Sequence, residues 1–184
     1  MIQTDDDLVK DSLAGVKESF RQLYDRYGKQ VFRQSFALTG NLQEAEDLLQ
    51  EVFCQAFLKL NQYRGPGSFK KWVLTICRNQ AINHLKKKSV KTFSFDFKDE
   101  NCLTNPIPAA DRLKVLDEKE NVPFLLEALE PIVREVLLLR LVEGLSYREI
   151  AELVGLREEN LRQIVSRGLT QLKKEQKPDV LQQV

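Results

Sequence analysis

The last helical pattern of the chain carries side chains that could read the bases of DNA. Arginine and glutamine can each make two hydrogen bonds to one base edge in the major groove, whereas lysine suits the phosphates. Apolar Leu161, Ile164 and Val165 recur at helical spacing, which leaves the polar residues on the opposite face. The alternative interpretation is a helical hairpin whose polar face is only solvated. The side chains predicted to face DNA are Arg162, Gln163, Ser166, Arg167 and Lys173 on this helix and Arg148 on the helix before it.

A helix-turn-helix would hold that face in place. Ser146 and Glu149 form a capping box that opens a short helix. Ala151 falls where two helices approach closely, and Gly155 follows at the tight turn, where a left-handed backbone favours glycine. A final helix is predicted over about residues 158–174. A small residue, a glycine and apolar positions at this spacing are typical of DNA-binding helix-turn-helix units.

A second candidate for nucleic-acid binding is a long segment without acidic residues. No aspartate or glutamate occurs between Glu51 and Asp96. A segment of one sign that contains aromatic residues indicates a polyanionic partner, and the alternative is a solvated basic helix face. The basic residues of this segment are Lys59, Arg64, Lys70, Lys71, Arg78, Lys86, Lys87, Lys88 and Lys91.

The apolar pattern predicts an all-α protein of two small helical domains joined by a flexible linker. Helical periodicity fails from Ser89 to about Glu118, where Pro106 and Pro108 interrupt it. Such a stretch is too long for a loop inside a compact domain, so we expect the domains to be loosely coupled. The predicted division is a domain over residues 1–88, a linker over 89–118 and a domain over 119–184.

Each domain has its own set of predicted helices. The first domain should contain one or two helices over about 17–39, with Gly28 as a candidate bend, and a helix over about 42–60. A further helix should run from an N-cap at Ser68 to about Lys88. The second domain should contain four short helices, over about 122–129, 132–143, 146–154 and 158–174.

The composition argues against metal, cofactor and membrane functions. His84 is the only histidine and the three cysteines are far apart, which excludes a His/Cys metal cluster and argues against a disulfide framework. Cys54 and Cys77 lie in apolar helical patterns and are predicted to be buried thiols. No nucleophile–base pair, phosphate-binding glycine loop, long apolar span or secretory signal is visible. We therefore expect a cytoplasmic, non-enzymatic protein without metal, cofactor or membrane insertion.

Three motifs resemble those of the extracytoplasmic-function sigma factors, which belong to the sigma-70 family of bacterial transcription initiation factors. Residues 47–53 (DLLQEVF) are similar to the family's DLxQEVF signature. Residues 69–82 (FKKWVLTICRNQAI) are similar to its FxxWLxxIARNxAID helix. Residues 134–151 resemble its C-terminal promoter-binding domain. The resemblance covers about residues 17–85 and 122–174, with the motifs in the family's order.

The resemblance implies a sigma factor that binds core RNA polymerase and directs promoter recognition and opening. The first domain would bind the polymerase and open the −10 element, and the second would read the −35 element of promoter DNA. Leu48, Val52 and Phe53 also suit a core, and Trp72 is either a stacking wedge or, as we favour, a core aromatic. The polymerase-contacting residues carried over are Asp47, Leu48, Gln50, Glu51 and Phe53.

The resemblance also assigns the −10 contacts. Residues 61–68 match the family's loop that captures a flipped base, where stacking and hydrogen bonds offset the cost of extruding the base. The helix after the loop would lie beside the phosphates of the strand. The residues assigned to the −10 element are Asn61, Gln62, Tyr63, Arg64, Arg78, Asn79, Asn83, Lys86 and Lys87.

Some positions depart from the family pattern and one rival function stays open. Asn83 replaces the usual aspartate, Arg157 stands where a serine often caps the recognition helix, and two glutamates follow it. The resemblance makes an anti-sigma factor a candidate partner besides polymerase and promoter DNA. The rival is a stand-alone helix-turn-helix regulator that binds duplex DNA without polymerase.

Overall fold

Helices make up almost all of the described chain. A computed structural model describes residues 3–64, 69–89, 126 and 129–175, with side chains described as far as 87 and 173 in the two helices that end these stretches. No strand occurs within these ranges, which confirms the predicted all-α class. The helices are α1 (Asp5–Leu13), α2 (Lys17–Thr39), α3 (Leu42–Leu58), α4 (Phe69–Ser89), α5 (Pro131–Leu137), α6 (Tyr147–Val154) and α7 (Glu158–Glu175).

The N-terminal half is built from α2, α3 and α4, which pack against one another. The helix α2 runs without the bend considered at Gly28, because this buried glycine keeps a helical backbone against the ring of Tyr24. Asn41 caps α3 by accepting a hydrogen bond from the backbone N–H of Glu44 at 3.0 Å. A short 3-10 turn, Leu60–Gln62, follows α3 and begins the loop before α4.

The helix α1 was not predicted from the sequence. Its apolar pattern is short, with only Leu8 and Val9 buried among the hydrophobic residues of the helix. The helix is fixed instead by polar contacts, beginning with a capping box between Thr4 and Asp7. The hydrogen bonds from Thr4 hold the pKa of the Asp7 carboxyl below its ordinary value. Asp5 also accepts hydrogen bonds from Arg26 and from a neighbouring tyrosine on α2.

The C-terminal half contains α5, α6 and α7. The helix predicted over 132–143 begins at Pro131 and changes at Leu138 into a π-helical segment, Leu138–Val142. Gly144 then takes a φ of 72°, which ends the segment. The predicted capping box is present, since Ser146 Oγ accepts from the Glu149 N–H at 3.3 Å and the Glu149 carboxylate accepts from the Ser146 N–H at 2.8 Å.

We expect the Ser146→Ala variant to be less stable by about 1 kcal/mol, because the Glu149 N–H at the start of α6 loses the hydroxyl that accepts its hydrogen bond. Urea unfolding followed by circular dichroism would measure the change. The matched control is Ser166→Ala, which removes an exposed hydroxyl from α7. Equal unfolding free energies for the two variants would contradict this role of the cap.

A close approach between α5 and α7 depends on Gly168, which no pattern in the sequence marks. A Cβ atom at Gly168 would lie 2.7 Å from Val133 Cγ1 and 2.9 Å from Leu137 Cδ1. Both neighbours are branched side chains packed at the core, Leu137 fully buried and Val133 half-buried, so they cannot simply swing away. Gly168 therefore sets the distance between the two helices.

The Gly168→Ala variant should lose about 1–3 kcal/mol of unfolding free energy through overpacking, although alanine favours helices more than glycine does. Thermal and urea unfolding would measure this, with Thr170→Ala on the exposed face of α7 as the control. A stabilised Gly168→Ala variant would show that helix propensity outweighs the clash.

The two cysteines of the described helices differ in burial and bonding. Cys77 is buried as a thiol, and burial raises its pKa to about 12. Cys54 is half-buried and disulfide-bonded, so the prediction of a buried thiol is wrong there. None of the described helices has the length and apolar character needed to cross a membrane. The predicted N-cap at Ser68, almost all of the linker and most of the helix over 122–129 lie outside the described residues.

Candidate nucleic-acid and polymerase interfaces

The helices α6 and α7 form the predicted helix-turn-helix. Gly155 takes a φ of 74° and donates its N–H to the Ala151 carbonyl at 2.9 Å, which ends α6 and starts the turn. Apolar side chains from both helices fill the space between them, so the spacing predicted from the sequence is confirmed. The buried residues of this unit are Ile150, Leu153, Val154, Leu161 and Val165.

The outer face of α7 carries the polar side chains predicted to read DNA. Arg162, Gln163, Ser166, Arg167 and Lys173 are all exposed, and so is Arg148 on α6. Arg162 is the most constrained, because its Nη2 donates to Glu158 Oε2 at 3.0 Å and its guanidinium carbon lies 5.1 Å from the centre of the Tyr147 ring. A second guanidinium, that of Arg140, lies 4.8 Å from the same ring centre.

The loop assigned to the −10 element is described for residues 61–64. Asn61, Gln62 and Arg64 are exposed, as base capture would need. Tyr63 is half-buried, with its ring centre 5.7 Å from that of Phe69 and 5.6 Å from that of Trp72. Its hydroxyl donates to Asp6 Oδ1 at 3.1 Å, and desolvation together with this contact raises the pKa of Tyr63 to about 12.

Trp72 lies between the two interpretations made from the sequence. It is half-buried and packs against the core through Phe69, at 5.5 Å between ring centres, and through Tyr63. Tyr27, Tyr63, Phe69 and Trp72 therefore form an aromatic cluster that packs between the loop and the core.

The residues predicted along α4 separate into two groups. Asn79, Asn83, Lys86 and Lys87 are exposed. Arg78 is not, since its side chain is only 12% exposed and its guanidinium contacts Glu135 Oε2 at 3.2 Å and the Val154 carbonyl at 3.2 Å. In this structure Arg78 faces the C-terminal half and not solvent, which corrects its predicted exposure to DNA.

Further polar contacts join the two halves, so the structure differs from the loose coupling that we expected. Arg33 Nε donates to Glu143 Oε1 at 3.0 Å, and Lys70 Nζ lies 2.9 Å from Glu143 Oε2. The Glu143 side chain is only 3% exposed and thus lies between two cations. Lys71 pairs with Glu152, an ion pair that lowers the pKa of the Glu152 carboxyl. These partners were invisible in the sequence because about seventy to one hundred and ten positions separate them.

Glu135 is the most deeply buried of the acidic residues in the contact between the two halves. Its side chain is fully buried, its Oε1 accepts from Gln34 Nε2 at 3.2 Å, and its Oε2 contacts Arg78. Burial raises the pKa of Glu135, while Arg78 and Gln34 act in the opposite direction. Gln34 Oε1 is buried without a hydrogen-bond partner among the described residues, so the network is only partly satisfied.

The helix α3 presents an acidic strip to solvent and an apolar face to the core. Asp47, Gln50 and Glu51 are exposed, and Gln43 Nε2 donates to Asp47 at 3.3 Å. Leu48 and Phe53 are 1% and 0% exposed, so in this structure their side chains cannot contact a partner directly. Val52 is buried as well, which confirms the core interpretation for all three apolar residues. The described part of the chain holds no cluster of residues suited to a metal ion.

Two family descriptions match the chain, in the order of the two halves. Residues 23–90 match Sigma-70 region 2, and residues 119–172 match Sigma-70, region 4. Together the two matches cover more than half of the chain. The first ends just after α4, and the second contains α5, α6 and most of α7.

Individual relatives agree with these matches. The chain is 30% identical to the ECF RNA polymerase sigma factor SigX of Bacillus subtilis, covering 86% of this chain and 84% of that one. It is 29% identical to the ECF RNA polymerase sigma factor BldN of Streptomyces coelicolor, covering 90% of this chain and 63% of that one. The fold is similar to the sigma factor RpoE of Bartonella quintana, solved with the anti-sigma factor NepR, with a TM-score of 0.65 at 20% identity over 88% and 99% of the chains.

Proposed function

Because this chain belongs to the sigma-70 family, among its extracytoplasmic-function sigma factors, we propose that three separate surfaces divide the work of transcription initiation. As a sigma factor the protein binds core RNA polymerase and directs initiation at promoters. The observation that carries this function is the ordered match of both sigma regions over the two helical halves.

The first surface is the acidic strip of α3, formed by Asp47, Gln50 and Glu51, which binds the polymerase. Its three side chains are exposed on one helix, and the apolar residues between them anchor that helix in the core. A rigid, well-packed helix that displays charge suits recognition of a basic protein surface.

The second surface opens and holds the −10 element. Asn61, Gln62 and Arg64 supply hydrogen-bonding groups for an extruded base, and the aromatic cluster under the loop gives it a firm base. Beyond the loop, Asn79, Asn83, Lys86 and Lys87 are exposed along α4 and would follow the strand phosphates. Arg78 would join them only after the C-terminal half moves away from α4.

The third surface is the outer face of α7 with Arg148, which reads the −35 element. Arg162, Gln163 and Arg167 would meet base edges, while Ser166, Lys173 and Arg148 would contact the backbone or flanking positions. The exposure of these residues opposite a buried apolar stripe supports this division.

Exchange of single side chains would separate base reading from phosphate contact on α7. The Arg162→Ala variant should lose about 1–3 kcal/mol of binding free energy and relax preference at one base position. The Lys173→Ala variant should weaken binding to all DNA sequences alike. It should also reduce by about one the slope of the logarithm of the binding constant against the logarithm of the salt concentration. Selections from randomised upstream elements would measure both, and wild-type preference in both variants would contradict base reading by α7.

The partners of the protein are core RNA polymerase and promoter DNA, and an anti-sigma factor is proposed as a third. This third partner is suggested by the fold's likeness to the Bartonella sigma factor, whose structure was solved with such a protein. We also propose that the protein acts in the cytoplasm, where polymerase and promoter are found. It has no chemistry of its own there and acts by binding alone.

Gel filtration with purified core RNA polymerase would test the proposed function. Co-elution, followed by transcription from a promoter that core polymerase alone does not use, is the expected result. Binding of the isolated protein to a duplex operator without any association with polymerase would support the rival stand-alone regulator instead.

A further inference from the structure

We infer that Tyr147 and Glu158 are positioning residues that hold Arg162 for base reading. This inference rests on the proposed reading of the −35 element by α7. Tyr147 is the first residue of α6, and Glu158 is the first residue of α7, one turn before Arg162. The three residues therefore form a clamp that spans both helices of the helix-turn-helix.

The geometry of the clamp restricts the guanidinium of Arg162 in two ways. The Tyr147 ring offers its face at 5.1 Å, and the Glu158 carboxylate accepts from Nη2 at 3.0 Å. A free arginine has many rotamers, and holding one of them in advance removes ordering cost when a base pair is bound. The Arg162 side chain is nevertheless 55% exposed, so it can still meet a ligand.

The ring of Tyr147 is itself held in place. The Arg140 guanidinium lies over it at 4.8 Å, and Arg140 Nη1 donates to the Leu145 carbonyl at 2.9 Å, two residues before Tyr147. Ser146, which caps α6, fixes the backbone immediately before Tyr147. The clamp is thus supported by the turn between the π-helical segment and α6, and not by α7 alone.

Glu158 has a second consequence for DNA binding. Its carboxylate offsets the charge of Arg162 and would repel phosphates, which weakens sequence-independent attraction to the backbone. The fork of Arg162 can still approach a guanine, because only Nη2 is held by the carboxylate. The clamp therefore favours discrimination between sequences over binding to any sequence.

The test compares Tyr147→Leu with Tyr147→Phe in complex with core RNA polymerase on promoters with a randomised upstream element. Leucine removes the aromatic face, and phenylalanine keeps it. Tyr147→Leu should reduce discrimination about two- to fivefold at the one base position that Arg162→Ala also affects, as expected for an exposed cation–π contact. Tyr147→Phe should behave as wild type, and Glu158→Gln should bind unrelated DNA more tightly.

The outcomes separate the clamp from the function on which it rests. A selective effect at the Arg162 position supports the clamp, because general loss of folding would weaken all positions alike. Identical preferences for Tyr147→Leu and Tyr147→Phe, with Arg162→Ala still relaxing one position, would overturn the clamp alone. If Arg162→Ala changes no position, base reading by Arg162 fails and the clamp fails with it.

A different set of contacts carries a second inference, which is that the C-terminal half masks cations of the N-terminal half. We propose that Glu135, Glu143 and Glu152 occupy Arg78, Lys70 and Lys71 in the free protein and so compete with promoter phosphates. All three cations lie on α4, beside the exposed residues assigned to the −10 element. Arg78 pairs with a fully buried carboxylate and is itself almost fully covered.

The masked arrangement is well suited to opening. Glu135 and Gln34 form a partly satisfied buried network, and such networks contribute less to stability than fully satisfied ones. If core polymerase holds the two halves apart, Arg78 becomes free to contact DNA. The carboxylates that paired with the cations of α4 are then hydrated. Masking and opening therefore use the same few side chains.

The test uses the full chain with the Glu135→Gln/Glu143→Gln double variant, and Glu130→Gln as a control that removes one exposed charge from the same half. The double variant should have a larger radius of gyration by small-angle scattering. It should also bind a single-stranded −10 oligonucleotide several-fold more tightly than the control.

Glu152→Gln gives a second variant whose exposed position poses little risk to folding. We expect this variant to bind the single-stranded oligonucleotide more tightly than the control, by a smaller factor than the double variant does. An affinity and a radius equal to those of Glu130→Gln, for both the double variant and Glu152→Gln, would overturn the masking proposal.

Discussion

Replacing Phe53 by alanine should lower the unfolding free energy by about 3–5 kcal/mol. The ring is fully buried on α3, with its centre 4.6 Å from that of Tyr24 and 6.3 Å from that of Phe20. Alanine would leave a cavity among aromatic neighbours that cannot collapse to fill it. Urea unfolding would measure the loss, which is large relative to the stability of an ordinary domain.

Phe57 supplies the matched control, because it is the same residue type one turn further along α3. Its side chain is 46% exposed although its ring contacts that of Phe20 at 5.0 Å. The Phe57→Ala variant should therefore lose much less unfolding free energy than the Phe53→Ala variant. A Phe53→Ala variant with wild-type stability but without polymerase binding would show that Phe53 is a contact residue after all.

Reversing the charge of the α3 strip should weaken binding to core polymerase by about a hundredfold, since like charges opposed across an interface cost several kcal/mol. The Asp47→Lys/Glu51→Lys double variant makes this change on two exposed side chains. Its helical content should remain that of wild type, because neither carboxylate is buried. Fluorescence anisotropy of a labelled protein titrated with core polymerase would give the affinity.

The control for this prediction is Glu18→Lys/Asp25→Lys, which makes the same change in net charge on the exposed face of α2. If both double variants lose the same affinity, the effect comes from the overall charge of the protein. Full affinity in the Asp47→Lys/Glu51→Lys variant would remove α3 from the polymerase interface.

The sequence predicted those features that depend on local pattern. The helices α2, α3, α6 and α7 were predicted to within a few residues because each combines strong apolar periodicity with a capping residue or a glycine. The helix-turn-helix followed from the spacing of Ala151, Gly155 and the apolar positions. In contrast, α1 has a weak apolar pattern and depends on contacts to Arg26 and Tyr27 on the next helix.

The features that were missed depend on partners distant in sequence. Arg78 looked like a DNA-facing residue in an acid-free segment, and nothing local revealed Glu135 as its partner. Gly168 lies in an ordinary helical pattern, so its role appears only when Val133 is placed beside it. Leu48 and Phe53 belong to a signature that invites assignment to an interface, yet their burial follows from the helical stripe.

The position of α1 has a practical consequence for anyone who handles the protein. Asp6 accepts a hydrogen bond from Tyr63 in the loop proposed to bind the −10 element, and Thr4 caps the helix that carries Asp6. A purification tag fused close to Thr4, or a shortened chain that starts at Lys17, would therefore alter a loop almost sixty residues away. Promoter-opening assays on such material would report the state of the N-terminus as well as that of the loop.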